Sequence, residues 1–289
     1  TVSTTGEVVT REIELPAMSR VQDALIWRPQ EPGAVRLSLK VPATGGEKNL
    51  ANNELEAPLD VRKEQLRVLI IESYPRWEYR YLRNALERDP GVEVSTLLFH
   101  PGLGKVGDGR GYLPAFPKEE DLTGYDVIFL GDVGTAPDQL AADQAAALHK
   151  LVRDQAAGLV FLPGLRGAQG TLWQTPLEEL LPVVWDTAQP RGFGSASPGR
   201  FVLTEAGTRS LLTKLEDTEE ASASVWSSLP GFQWYGPALR AKAGSEVLAT
   251  HGTESNRFGR VPLIVTKTFG AGKTLSMGAD GAWRWRRVL

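Results

Sequence analysis

Hydrophobic positions change their spacing near residue 65, and the change divides the chain into two kinds of structure. Up to about Asp60 the apolar residues alternate in short runs punctuated by glycine and proline. In Ala34–Val41 the apolar side chains of Val35, Leu37, Leu39 and Val41 fall on one face, with Arg36, Ser38 and Lys40 on the other. That period of two predicts a half-buried antiparallel strand. From Leu66 the runs become nearly continuous and are separated by helical spacing. LRVLIIE (Leu66–Glu72) has the pattern of a central strand buried on both faces. Pro75 then suits the first turn of a helix whose Leu82, Ala85 and Leu86 form an inward stripe.

The same alternation continues. Val92–Phe99 predicts a second strand, followed by a long glycine-rich loop over His100–Asp121, a length that marks functional or mobile segments. Tyr125–Val133 predicts a third strand, Pro137–Ala157 a helix ended by Gly158, and Leu159–Gly164 a fourth strand. Strands and helices alternating with short crossovers predict a doubly wound, mostly parallel sheet, whose ligands gather at the carboxyl ends of the strands. Glu72–Ser73, Gly131–Asp132, Gly164–Arg166 and Asp280 are thereby expected on one rim. Beyond Pro182 the pattern is irregular: Gln189–Gly199 reads as a loop or lid, and strands follow at Arg200–Leu203, Ser245–Ala249, Val261–Phe269 and Thr274–Met277. The last two are expected to form a hairpin, with Asp280 capping a closing helix.

Length and composition narrow this picture only a little. A chain of 289 residues predicts two domains, here a small β module at 1–62 and an α/β domain at 63–289. Residues 42% hydrophobic and 23% charged, with a formal net charge of −3, describe an ordinary globular protein with no electrostatic case for nucleic acid or anionic membrane. No apolar run reaches the ~18 residues of a membrane span. The lack of an initiator methionine and the abrupt stop after Trp285 and its basic neighbours lead us to expect a segment of a larger protein, truncated within the α/β domain. There is no cysteine, which excludes thiolate metal sites and every cysteine-nucleophile mechanism.

Several stretches together resemble a known family. PRWEYRYLRNALERD (Pro75–Asp89), LGDV after the third strand, AAGLVFLPG (Ala156–Gly164), TPLEELLPV (Thr175–Val183) and GADGAWRWR (Gly278–Arg286) resemble the class I glutamine amidotransferase-like, flavodoxin-like α/β domain of bacterial membrane-associated proteins. GEKNLANNELEAPLDV (Gly46–Val61) resembles the last hairpin of bacterial immunoglobulin-like modules, so the N-terminal module is expected to be a partial one. In true members of the amidotransferase family a cysteine nucleophile sits in the turn after the fourth strand. Here that turn reads Pro163–Gln169, with Leu165 at the nucleophile position, and none of His100, His149 and His251 lies near the chain end. The resemblance therefore implies the fold without the reaction. It also implies placement in the bacterial cell envelope, with the parent protein membrane-anchored.

The candidate binding residues are Arg76, Glu78, Arg80, Asp132, Arg166, Gln169 and Asp280. Arg76 and Arg80 are like charges four apart near a helix start, which both the pairing and the helix dipole disfavour. A broken local rule marks either a binding edge or arginines neutralised within the fold by Glu72, Glu78 or Asp132. Trp77, Tyr79 and Tyr81 offer an aromatic platform for a sugar or a partner chain, or else packing against the sheet; Trp283 and Trp285 carry the same two readings. GAGKT (Gly270–Thr274) has the tail of a phosphate-binding loop, but Lys267 stands where that motif needs glycine and a strand follows where it needs a helix, so a hairpin turn is expected. The histidines have no metal-ligand spacing, and neither a metal nor another cofactor is expected. The reading that follows is a catalytically silent domain that recognises a ligand or protein. The alternatives are a hydrolase or transferase with a non-cysteine site at the strand rim, drawing on Glu72, Ser73 or Asp132, and a structural spacer.

Overall fold

A computed structural model describes residues 2–3, 8–14, 16, 27, 33–43, 45, 47, 52–61, 65–99 and 111–287. The chain divides into two compact units, Thr1–Glu64 and Gln65–Leu289.

The first unit is an antiparallel sheet of β1 (Val2–Ser3), β2 (Val8–Val9), β3 (Gly33–Lys40) and β4 (Glu54–Val61), in the order β2-β1-β3-β4. β3 and β4 pair over their full length, with Val35 opposite Leu59 and Leu37 opposite Ala57. Their polar face carries cross-strand ion pairs, Arg36 to Glu56 at 3.2 Å and Lys40 to Glu54 at 2.6 Å. The expected inward face is only partly realised: Val35 and Leu37 are half-buried, whereas Leu39 and Val41 are exposed. Part of the Gly46–Val61 hairpin and residues 100–110 of the His100–Asp121 loop lie outside the described residues.

The second unit begins with β5 (Leu66–Glu72), α1 (Trp77–Glu87), β6 (Val92–Leu98), α2 (Glu119–Leu122), β7 (Val127–Leu130), α3 (Ala142–Gln155) and β8 (Gly158–Phe161). It continues through α4 (Leu177–Leu180), β9 (Val183–Trp185), β10 (Phe193–Gly199), β11 (Phe201–Leu203), α5 (Glu205–Arg209) and α6 (Glu219–Ser228). It closes with β12 (Phe232–Tyr235), β13 (Ala238–Ala241), β14 (Ser245–Asn256), β15 (Gly259–Phe269), β16 (Gly272–Met277) and a 3₁₀ turn at Ala282–Arg287.

Eight strands form one sheet in the order β11-β14-β15-β16-β8-β7-β5-β6. β6, β5, β7, β8 and β16 run parallel, and β15, β14 and β11 are added antiparallel. The expectation of a doubly wound, mostly parallel sheet is corrected accordingly: the sheet is mixed. The reason is the β15–β16 hairpin. Its two-residue turn at Gly270 and Ala271 returns the chain directly alongside itself, with no room for a crossover helix. Gly270 has φ 58°, and a side chain there would meet the Arg153 carbonyl. GAGKT is thus a hairpin turn, as its spacing indicates.

β5 is buried on both faces, and alternate residues serve different helices. Val68 and Ile70 pack with Tyr79, Leu82 and Leu86 of α1, while Leu69 and Ile71 join Ile128, Leu148, Val152 and Phe161 beneath α3. Ala85, placed by spacing in the inward stripe of α1, is exposed instead. Leu148 sits at the centre of the larger core with no exposed surface. Leu148→Ala is expected to lower the unfolding free energy by about 2–5 kcal/mol in chemical denaturation, from lost transfer energy plus the cavity left behind.

Other boundaries move for physical reasons. α3 starts at Ala142 rather than near Pro137, and its left-handed C-cap is Ala156, with φ 60°, rather than Gly158, which opens β8. The segment read as a loop or lid, Gln189–Gly199, contains β10, which pairs with β12 through Phe193 opposite Tyr235 and Gly194 opposite Trp234. A strand with so little apolar patterning is legible only from the partner that completes its hydrogen bonds. α6, not foreseen, is capped by Thr218, whose hydroxyl accepts from Ala221 N, and the acidic Glu219 and Glu220 occupy its favourable first turn. Among the described residues no helix is long and apolar enough to cross a membrane.

Candidate functional site at the strand rim

The parallel strands β5, β7, β8 and β16 deliver their carboxyl ends to one side of the sheet, and the chain leaving each brings polar or charged groups there. Glu72 ends β5, Asp132 follows β7, Pro163 and Gly164 follow β8, and Asp280 follows β16.

Arg76, the N-cap of α1, turns inward and holds these ends together. Its Nε donates to Glu72 Oε2 at 2.8 Å. Its Nη1 donates to Asp280 Oδ2 at 2.9 Å and to the Pro163 carbonyl at 3.0 Å, and its Nη2 donates to the Leu162 carbonyl at 2.6 Å. Burial alone weakens the guanidinium charge, but Glu72 and Asp280 more than restore it, so Arg76 is held above its ordinary range. Glu72 is 2% exposed. Its Oε1 accepts from the backbone N–H groups of Ser73 and Asp132 at 2.9 and 3.0 Å. Burial pushes its carboxyl upward against the pull of Arg76.

Asp132 is committed to the backbone. Oδ2 accepts from Arg166 N at 2.9 Å and Oδ1 from Ala168 N at 2.7 Å, which fixes the turn leading into the 3₁₀ helix Ala168–Gln174. Ser73 is buried and donates its hydroxyl to the Asp132 carbonyl, so it is not poised as a nucleophile. Leu165 lies exposed in the turn after β8.

Glu78 is the carboxylate that this network leaves least satisfied. It lies in the first turn of α1, 7% exposed, where its Oε2 accepts long hydrogen bonds from Gly281 N at 3.2 Å and Trp283 N at 3.3 Å. Burial, then the negative charge of Asp280, pushes its pKa up to about 7, against the opposing pull of Arg76 and the two backbone donors. Trp77, next to Glu78 in the chain, and Trp283, whose backbone N–H reaches it, belong to a triad of rings. Trp77 and Tyr81 stack at 6.1 Å, and Trp283 lies 6.0 Å from Trp77 and 6.2 Å from Tyr81. Trp77 is 55% exposed, so the triad presents a face to solvent.

The remaining candidates separate. Arg80 is exposed, donates to the Pro75 carbonyl at 3.1 Å and lies over the Trp77 ring. Arg166 stacks its guanidinium on Tyr74 at 4.1 Å. Gln169 is buried, and its Nε2 donates to the carbonyls of Leu130 and Gly131. Trp285 leaves the rim altogether and packs against Phe201 and Trp226. Of the histidines, His149 meets Glu179 at 3.2 Å, and His251 is buried, accepting at Nδ1 from Thr253 N and Glu254 N. Among the described residues no three metal-ligating side chains come together.

No known family profile matches this chain, and no curated protein does. Among solved structures it is similar to the β-galactosidase of Rahnella sp. R3. Identity there is 14%, the TM-score is 0.41, and the match covers 77% of this chain and 30% of that one. The β-galactosidase of Bacillus circulans sp. alkalophilus gives 13% identity and a TM-score of 0.38, over 78% of this chain and 30% of that one. The exo-β-1,4-mannosidase of Opitutaceae bacterium strain TAV5 gives 15% identity and a TM-score of 0.38, over 75% and 31%. The chain thus spans under a third of the length of these structures. The family expectation is corrected: no family profile matches the chain, these three similar structures are glycosidases rather than glutamine amidotransferases, and the amidotransferase-like, flavodoxin-like assignment is withdrawn. The reading as a silent recognition domain of that family goes with it. Motifs such as LGDV and AAGLVFLPG describe strand ends and helix-to-strand turns, which any α/β sheet requires.

The ring triad was legible in part, because Trp77 and Tyr81 lie four apart on a helix. Trp283 was not, since its place beside them depends on β16 entering the sheet next to β8.

Proposed function

We propose that the rim is a hydrolase-type site in which Glu78 is the general acid. The observation that carries this reading is the carboxyl of Glu78, brought to about 7 by burial and by Asp280. A group so placed holds a proton near neutral pH and releases it to a leaving oxygen at little cost. Asp280, fixed by its ion pair with Arg76, is the negative partner that stabilises positive charge developing on the substrate. The ring triad supports a ring-shaped substrate with an apolar face, as a sugar has. The reaction is then hydrolysis of a glycosidic bond: the carbon–oxygen bond breaks, the proton of Glu78 goes to the departing oxygen, and water adds its hydroxyl to the carbon while its other proton returns to the Glu78 carboxylate. Glu72, Arg76 and Asp132 hold the strand ends in register beneath the site.

The test is turnover of a panel of aryl glycosides. Glu78→Gln is expected to lower kcat/KM by about 10²–10⁴-fold with the fold intact by circular dichroism. The wild-type rate should fall as pH rises through about 7, where Glu78 loses its proton. A wild-type protein inert on every glycoside, or a Glu78→Gln variant as active as the parent, rejects the assignment. The saturation of Arg76 by partners within the fold favours a second reading, a structural spacer, which predicts the inert result.

A further inference from the structure

The hairpin of β14 and β15 outruns the sheet that holds it. β11 meets β14 only as far as His251, and β16 meets β15 only from Ile264 onward, so residues 252–260 stand past both neighbours. The turn at the tip is two residues, Arg257 and Phe258, between the paired Asn256 and Gly259. Asn256 fixes its shape: Oδ1 accepts from Phe258 N and Nδ2 donates to the Leu239 carbonyl, both at 2.8 Å. Gly259 completes it with a φ of 111°, which a side chain would strain. Phe258 is thereby held 48% exposed at the tip.

Arginines surround this ring. The guanidinium carbons of Arg257 and Arg240 lie 4.8 and 5.5 Å from its centre. Arg260 donates Nη1 to the Gly252 carbonyl, and Gly252 N donates to the carbonyl of Arg200, which brings a fourth arginine alongside. All four are exposed. Arg200 and Arg240 also donate to the Ser227 and Ala241 carbonyls, and among the described residues none of the four guanidiniums reaches a carboxylate. Glu254 is the sole acid along 252–260. A net charge of −3 for the whole chain thus conceals a strongly basic tip.

A convex tip encloses no small molecule, so its partner is an extended surface, and unpaired arginines require that surface to be anionic. The exposed ring decides which kind. Against a hydrated polyanion it would stay in water, whereas a bilayer offers apolar volume directly beneath its phosphates. Guanidiniums stacked on the ring lie at the depth where those phosphates would be. We propose that the β14–β15 hairpin docks on an anionic lipid surface, with Phe258 entering below the headgroups and Arg200, Arg240, Arg257 and Arg260 binding their phosphates. The contact is peripheral and independent of the chemistry proposed for Glu78.

Cosedimentation of the full chain with lipid vesicles tests this. With roughly 40% phosphatidylglycerol in phosphatidylcholine, half of the protein is expected on the vesicles at about 1 mM lipid, and pure phosphatidylcholine should bind it at least about tenfold more weakly. Raising the salt from about 0.05 to about 0.5 M should release it. Phe258→Ser is expected to weaken vesicle binding about tenfold, and Arg257→Ser combined with Arg260→Ser about 20-fold. Dextran sulfate, a soluble polyanion, supplies the contrast: Phe258→Ser should leave its binding unchanged. Three results would each overturn the proposal: no binding to the anionic vesicles at about 10 mM lipid, equal binding to both vesicle types, or a Phe258→Ser variant that binds vesicles like the parent. The last of these, with dextran sulfate bound tightly, assigns the tip to a soluble polyanion instead. The wild-type comparison of the two vesicle types decides even where a variant fails to fold.

Discussion

Replacing Arg76 with leucine is expected to destabilise the protein by about 3–5 kcal/mol, the range for breaking one side of a buried ion pair. The substitution strands Glu72, which is 2% exposed and whose Oε2 has Arg76 as its partner, and it takes from Asp280 its ion-pair partner. It also removes the donor from the Leu162 and Pro163 carbonyls at the end of β8. Arg80→Leu, one turn along the same helix, removes an exposed charge and is expected to change stability by no more than ~0.5 kcal/mol. Denaturant midpoints of the two variants, measured side by side near neutral pH, check the contrast. Equal and small effects would mean that the rim is not held through Arg76. Lowering the pH should narrow the gap, because a protonated Glu72 is no longer an unpaired buried charge.

The second large effect is a pH dependence of stability traceable to Glu78. Its carboxyl titrates near 7 in the fold, against 4.5 as its ordinary value. Below about 4.5 the group is protonated in both states and contributes no slope. Between 4.5 and 7 the unfolded chain releases the proton while the folded chain retains it, so the unfolded state binds fewer protons and stability falls as pH rises. Above 7 both forms are ionised and the slope ends. Holding one proton more in the folded chain than in the unfolded one across this window costs roughly 3 kcal/mol of stability by its upper end. Glu72, also raised by burial, acts in the same direction. Glu78→Gln is always neutral and should flatten the profile over pH 4.5–7, leaving the variant more stable than the parent above pH 7. Thermal melts across that range measure it, and a variant whose profile parallels the parent's would reject the assignment of the titration to Glu78.

These two residues show how the rim divides between structure and chemistry. Arg76 looks like a binding group in the sequence because it breaks the usual charge preference at a helix start. In the fold the same arginine is consumed, since its hydrogen bonds go to Glu72, Asp280 and two carbonyls of the chain. Asp132 is likewise spent on backbone N–H groups. Glu78 gains its chemistry from what surrounds it: a buried position, Asp280 nearby, and only long hydrogen bonds from Gly281 and Trp283. Nothing in the local sequence around Glu78 distinguishes it from any acidic residue in a first helical turn.

Local pattern determined the elements whose burial follows from their own residues. β5 could be read because a strand covered on both faces is apolar throughout, and the hairpin at Gly270 because a two-residue turn needs its glycine. The convergence of Glu72 and Asp132 on one rim also follows from sequence, since each stands at or just past the end of a strand in the alternating run; Asp280, expected there too, reaches it because β16 enters the sheet parallel to β8. What the sequence left open depended on contacts between residues far apart. The placing of β14 and β11 on the sheet, β10 on β12, and the ring of Trp283 against Trp77 exist only because distant strands supply each other's hydrogen bonds and surfaces. The family resemblance failed for a related reason: its motifs describe turns that many α/β sheets share, and the overall arrangement of the sheet is not written in them. Which carboxylate holds a proton, and which hairpin end stands past its neighbours in the sheet, are questions of burial and geometry, and only the tertiary structure decided them.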